Sequence, residues 1–130
     1  MAYEIPGFQF SLPAGADLSA HQYKFVKINS SGQCVLCAAV TDKPIGILQN
    51  DPPAAGVAAN IMVNGISKLK AAANLAVGDQ IGTDAAGLGA ANVPGTDTTK
   101  YTVGEVIGDN TVANGVVSVL FNCAGAGRGA

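Results

Sequence analysis

The side chains with capacity for chemistry are few: three cysteines, one histidine, nine carboxylates and seven basic residues in 130 positions. Cys34 and Cys37 stand as a C-x-x-C, the spacing used by redox and metal sites. The run Cys34-Val-Leu-Cys-Ala-Ala-Val40, however, has the apolar character of a strand. Side chains three apart on a strand face opposite ways, about 10 Å from one another, whereas a disulfide needs Cα atoms within about 7 Å. A Cys3His set from Cys34, Cys37, Cys123 and His21 can be written down, but structural zinc pairs usually sit in tight turns. Small buried hydrophobes are the plainer reading of the cysteines. Their odd number fits synthesis in a reducing cytoplasm better than a disulfide framework.

The remaining candidates are thinner. His21 has no partner at a spacing that would make it a general base, and a loop histidine is the simpler reading. Asp79 and Asp84 lie in neighbouring turns and could offer oxygen to calcium, yet aspartate in a turn ordinarily accepts hydrogen bonds from its own backbone. Lys68 and Lys70 project from one face of a strand and could meet an acidic partner, although a solvated strand face is the commoner reason for such a pair. Gly87-Leu-Gly89-Ala-Ala-Asn92 falls one residue short of the dinucleotide fingerprint and precedes no amphipathic helix. Nucleophile-elbow, zinc-protease, Walker and EF-hand motifs do not occur. The residues thus point to no catalysis, no cofactor and no bound metal.

The elements that would carry these residues are short. Apolar runs punctuated by Gly, Pro, Asn and Asp recur every 8 to 15 residues, the rhythm of an all-β barrel or sandwich. Strands are expected at 8–12, 23–29, 33–39, 45–49, 57–63, 66–70, 80–83, 101–107 and 116–121. Asn64-Gly65 between Val63 and Ile66 predicts a two-residue type I′ hairpin, with Val63 facing Ile66 and Ile61 facing Lys68. Ser30-Ser31-Gly32, Gly78-Asp79, Asp84 to Gly87, Asp109-Asn110 and Asn114-Gly115 mark further turns. Ser19 to Gln22 matches a helix capping box, but Tyr23, Phe25, Val26 and Ile28 favour a brief turn leading into a strand.

Composition sets the outer bounds. Leu, Ile, Val and Phe make up about a quarter of the chain, enough for one modest core and one domain. Charged residues are only 12%, against about 25% in ordinary soluble domains, so the exterior is weakly charged and suited to being covered by partners. Net charge is −2, without the basic face that a phosphate backbone demands, so nucleic acid is not an expected partner. No run approaches the roughly 18 apolar residues of a membrane helix. Glu4 and Pro6 stand where a secretory leader would be basic and then apolar, so no export is expected. Both ends read as appendages: an N-terminal arm over 1–16 and a Gly-rich tail over 122–130, flanking a β-domain over 17–121. The arm carries Tyr3, Ile5, Phe8, Phe10 and Leu12, which are candidates to lie on another subunit, and its removal is expected to spare the core.

The most distinctive stretches are Asp17-Leu-Ser with Gln22-Tyr-Lys-Phe-Val26, and Lys43-Pro-Ile-Gly-Ile-Leu-Gln-Asn-Asp-Pro52. Through them the chain resembles the small capsid cement, or head decoration, proteins of tailed bacteriophages. Gly65-Ile-Ser-Lys68, Val77-Gly-Asp79, Asp84-Ala-Ala-Gly87, Val103-Gly-Glu-Val106 and Val116-Val-Ser-Val-Leu120 follow in that family's order and approximate spacing. The motif residues are Asp17, Gln22, Tyr23, Phe25, Val26, Pro44, Gly46, Leu48, Gln49, Gly78 and Asp79. The resemblance implies a compact β-barrel-like domain on the outer surface of an icosahedral virion. There it would bind the major capsid protein, brace the shell and associate with itself, as a homotrimer on the capsid, without catalysis. Interface candidates are then Tyr3, Ile5, Phe8, Phe10, Leu12, Lys68 and Lys70. Two other functions are compatible with a small β-domain: a virion-surface glycan or host-adhesion module, poorly supplied with aromatics here, and a small enzyme working through Cys34 and Cys37.

Overall fold

The computed structural model describes residues 4–93, 95–108, 112–125 and 127–128. Turn-punctuated apolar runs fold into β1 (Ile5–Pro6), β2 (Gln9–Pro13), β3 (Phe25–Ile28), β4 (Cys34–Leu36), β5 (Gly46–Leu48), β6 (Ala58–Met62) and β7 (Asn64–Lys70). They continue as β8 (Gln80–Thr83), β9 (Gly89–Ala91), β10 (Tyr101–Thr102), β11 (Gly104–Gly108), β12 (Val116–Asn122) and β13 (Gly127–Arg128). Among the described residues the helical content is one 3-10 turn at Cys123–Gly125. The protein is all-β, as its turn spacing predicts. The expected strand at 101–107 is interrupted at Val103, which donates to Ile81 O at 2.9 Å and accepts from Asn122 N at 2.8 Å.

Two antiparallel sheets make the body. One has the order β1-β7-β12-β11-β8-β9, the other β2-β6-β5-β3-β4, and β10 pairs with β13 as a separate ribbon. Both sheets curl. In the five-stranded one, Ala14 just past β2 forms a parallel bridge with Cys34 at the start of β4. In the six-stranded one, Ala71 just past β7 does the same with Gly89 on β9.

Side-chain alternation sorts the apolar residues between two cores. Phe25, Ile47 and Met62 of the five-stranded sheet pack with Leu69, Ile81, Val106, Val117, Val119 and Phe121 of the six-stranded one. Their chain neighbours Val26, Leu48 and Ile61 point the other way, into the curl of their own sheet, where Ala14, Leu18, Cys34 and Ala59 complete a second cluster. A sheet buried on both faces explains the continuous apolar run Ile45-Gly-Ile-Leu48. Its glycine is dictated by space, since a Cβ on Gly46 would lie 2.4 Å from both Ile61 Cγ2 and Met62 O.

The Asn64-Gly65 hairpin does not form. β6 pairs with β2 and β5, whereas β7 pairs with β1 and β12, so the chain crosses from one sheet to the other at Val63. A type I′ turn needs positive φ at both central residues. Gly65 has φ +114° but Asn64 is not left-handed. Gly65 serves a close approach instead, because a Cβ there would lie 2.7 Å from Ile5 O and 2.5 Å from Gly7 N. Asn64 Oδ1 accepts from Phe8 N at 2.8 Å, so the dipeptide fastens the N-terminal strand.

That fastening shows where the N-terminal stretch lies. Residues 5–6 and 9–13 are strands in the two sheets, with Ile5 opposite Ile66 and Phe10 opposite Ile61. Phe10 packs against both cores, and Leu12 against the second. Tyr3, the Asp109-Asn110 turn and residues 126 and 129–130 of the tail lie outside the described residues.

Candidate interaction surface

The residues with catalytic potential are each engaged in structure. Cys34 and Cys37 lie in different cores, as opposite strand faces require, and both are fully buried. Burial pushes the Cys34 thiol up to about 11. Burial, with the charge of Asp42, pushes Cys37 up to about 12. Burial also raises Cys123, which lies close enough to Cys37 to be raised further by it. Nucleophilic cysteines need the opposite, a thiol pKa drawn down toward neutrality. No group of three or more His, Cys, Asp or Glu side chains positioned to hold a metal occurs among the described residues. Asp84 Oδ1 accepts from Ala86 N and Leu88 N, each at 2.8 Å, and Asp79 Oδ2 from Ala76 N at 2.9 Å. Both carboxylates thus brace their own turns.

The family-motif residues form a scaffold more than a surface. Asp17 Oδ1 accepts from Ser19 N at 2.9 Å, and the Ser19 side chain, followed by this backbone bond, holds its carboxyl below the usual range. Gln22 Nε2 donates to Gln49 O at 2.9 Å, and Gln49 Nε2 reaches Ile47 O and Ser67 Oγ, each at 3.0 Å. Phe25, Val26, Pro44 and Leu48 are buried. Gly78, at φ +96°, turns the chain so that its N–H meets Val106 O at 2.8 Å.

The surface candidates separate by direction. Ile5 and Phe8 are 59% and 60% exposed, whereas Phe10 and Leu12 turn inward as anchors of the domain itself. Phe8 stacks on Phe10 at 6.0 Å between centroids, so the rings cover one another and make no flat platform. Opposed residues of an antiparallel sheet share a face. The register therefore lines up Ile5, Ile66, Leu120, Glu105 and Gln80 as one row across β1, β7, β12, β11 and β8. Leu120 is 53% exposed and Ile66 partly so, which makes the Ile5 end of this row apolar and open. Leu120 escaped sequence reasoning because it sits in the apolar run Val116-Val-Ser-Val-Leu-Phe121. Only the alternation of Val117, Val119 and Phe121 marks it as the outward member.

Lys68 and Lys70 occupy the next rows of that face, opposite Ser118 and Val116. Lys68 is held by Glu4 at 3.6 Å and lies over the Tyr23 ring, 5.6 Å from its centroid. Tyr23 has φ +64°, a left-handed conformation that an aromatic residue adopts only when its surroundings impose it. Two backbone bonds do so: Tyr23 N donates to Leu48 O at 2.8 Å, and Tyr23 O accepts from Lys70 N at 2.9 Å, joining the two sheets. Next to it, Lys24 Nζ lies 3.1 Å from His21 Nδ1. Burial, and then the charge of Lys24, depress the His21 pKa. Burial, and then Lys70, depress that of Lys24. The structure thus adds His21, Tyr23 and Lys24 to the lysine pair.

No protein-family model matches the chain, and no curated protein matches it. Among solved structures, the chain is similar to the head fiber gp8.5 N base in bacteriophage phi29. The TM-score is 0.67, covering 89% of this chain and 94% of that one, at 14% sequence identity. At that identity the likeness establishes a common all-β fold.

Proposed function

We propose that this chain is a structural virion protein that binds the outer surface of an icosahedral phage head and braces the shell. The carrying observation is the open apolar row Ile5, Ile66 and Leu120 on a fold shared with a head fiber base. Apolar side chains set outward in register are the kind of anchor from which a surface-binding protein gains affinity, multiplied by repetition over many copies. The major capsid protein is the expected partner. Self-association into a closed trimer on the shell belongs to the same reading, since cyclic symmetry would cover apolar surface that a single copy leaves in water.

The test begins with quantitative mass spectrometry of gradient-purified particles from the source phage, comparing copies of this chain with copies of the shell protein. A fixed, near-stoichiometric ratio supports the reading, and absence from the particle overturns it. An Ile5→Gln/Leu120→Gln variant should then lose retention on stripped particles by about tenfold or more, equivalent to ~1.4 kcal/mol. Its folding stability should stay within about 0.5 kcal/mol per site, because both side chains are already exposed. Unchanged retention would remove this row from the interface.

A further inference from the structure

We propose that Lys24 and Lys70, the one next to Tyr23 in the chain and the other bonded to its backbone carbonyl, form a docking site for an acidic peptide segment of a partner protein. The inference takes its setting from the head-binding reading, but its chemistry stands on the patch alone.

Three observations converge. First, the chain has seven basic residues, and three of them, Lys24, Lys68 and Lys70, gather with His21 around one residue, Tyr23. Like charges brought together on a protein that carries a net −2 oppose folding unless something outside answers them. Second, the internal answers are incomplete. Lys68 is paired with Glu4, Lys27 with Asp42 and Lys100 with Asp97, but among the described residues Lys24 and Lys70 have no ion pair. The carboxylate that attracts Lys24 from a distance is Asp84, already engaged by Ala86 N and Leu88 N. Third, all four residues and Tyr23 are partly buried, with the Lys24 ammonium against His21 and that of Lys68 over the Tyr23 ring. Backbone strain at Tyr23, imposed from both sheets, fixes a residue whose ring Lys68 overlies and whose carbonyl accepts from Lys70 N.

The neighbourhood decides between acidic partners. Lys70 lies opposite Val116, and Lys68 is preceded along β7 by Ile66, whose row includes Leu120. Among the described residues Lys70 has no ion pair and Lys24 meets the His21 ring alone, and with the apolar row one position beyond Lys68 on the same strand face they suit a peptide that alternates carboxylates with apolar side chains. A nucleic-acid backbone demands a longer basic track and offers nothing to the apolar row. Glu4 already shows the mode in miniature, since it is a carboxylate beside a short strand reaching a lysine of β7.

The test uses a fluorescent peptide of alternating Glu and Leu, measured by anisotropy against the full chain, and the same chain retained on stripped phage particles. Lys24→Glu/Lys70→Glu should weaken peptide binding by about tenfold or more, while Lys43→Glu, a single-charge control at an exposed lysine remote from the patch, should change it little. Added salt should weaken the wild-type complex and leave the double variant's residual binding unaffected. Circular dichroism confirms folding, and Lys24→Gln/Lys70→Gln, which removes charge without reversing it, should lose binding as well. Equal loss from Lys43→Glu, no loss from the double variants, or tighter binding of a single-stranded DNA of matched charge would each overturn the proposal. Particle retention separates the two readings. If wild-type chain binds the peptide but not particles, the acidic site stands and the head-binding role falls. If particles retain the double variant as well as wild type while peptide binding is also unchanged, the role stands and the site falls.

Discussion

Thiol chemistry at the residue scale is decided by where three sulfurs ended up. All three cysteines are buried, and each has its thiol pKa raised by burial, Cys34 to about 11 and Cys37 to about 12. A thiol-reactive dye at pH 8 is therefore expected to label none of them in the folded protein and all of them in denaturant. Cys34→Ser or Cys37→Ser should each cost about 1–3 kcal/mol by placing a hydroxyl in an apolar core, while leaving particle retention intact. Fast labelling of the native chain, or loss of function in a variant of normal stability, would reinstate a thiol-dependent activity. Sequence spacing was enough to place Cys34 and Cys37 on opposite faces, because strand alternation is local geometry. It gave no sign that Cys123 would approach Cys37, which depends on how distant strands pack.

Between elements, the deciding contacts are steric. Gly46 sits where β5 meets β6 with no space for a side chain, so Gly46→Ala should destabilise the protein by about 1–3 kcal/mol through overpacking, read as a lower urea midpoint with unchanged slope. A midpoint equal to wild type would show that β6 can yield. The Asn29 turn was legible because its chemistry is self-contained: Asn29 Oδ1 accepts from Ser31 N and Gln33 N at 3.0 and 2.9 Å, next to Gly32 at φ +76°. Asn64-Gly65 misled for the opposite reason. A dipeptide reports that positive φ is tolerated, but not whether that freedom serves a hairpin or a close crossing of another strand. Here the N-terminal strand claims it, and the pairing of β7 with β12 over seven residues outweighs any local preference for β6. The same long-range pairing hid the apolar row from sequence reasoning, since Ile5, Ile66 and Leu120 are neighbours only through register.

As a whole molecule, the chain depends on its N-terminal stretch. β2 contributes five paired residues, and Phe10 spans both cores. Deleting residues 2–12 is therefore expected to cost about 3 kcal/mol or more, the scale of removing a large packed side chain, and to lower the melting temperature measurably. A truncated chain as stable as the full one would show that β2 is dispensable and restore the picture of a free arm. The closing of the sheets also bears on how copies of so weakly charged a chain meet one another. With charged residues at 12%, crowded copies repel one another little. The bridges at Ala14–Cys34 and Ala71–Gly89 turn both sheets back on themselves, each pairing one residue at an edge along which strands of different copies could otherwise zip together. Where surface charge is sparse, such closure opposes edge-to-edge association in its place.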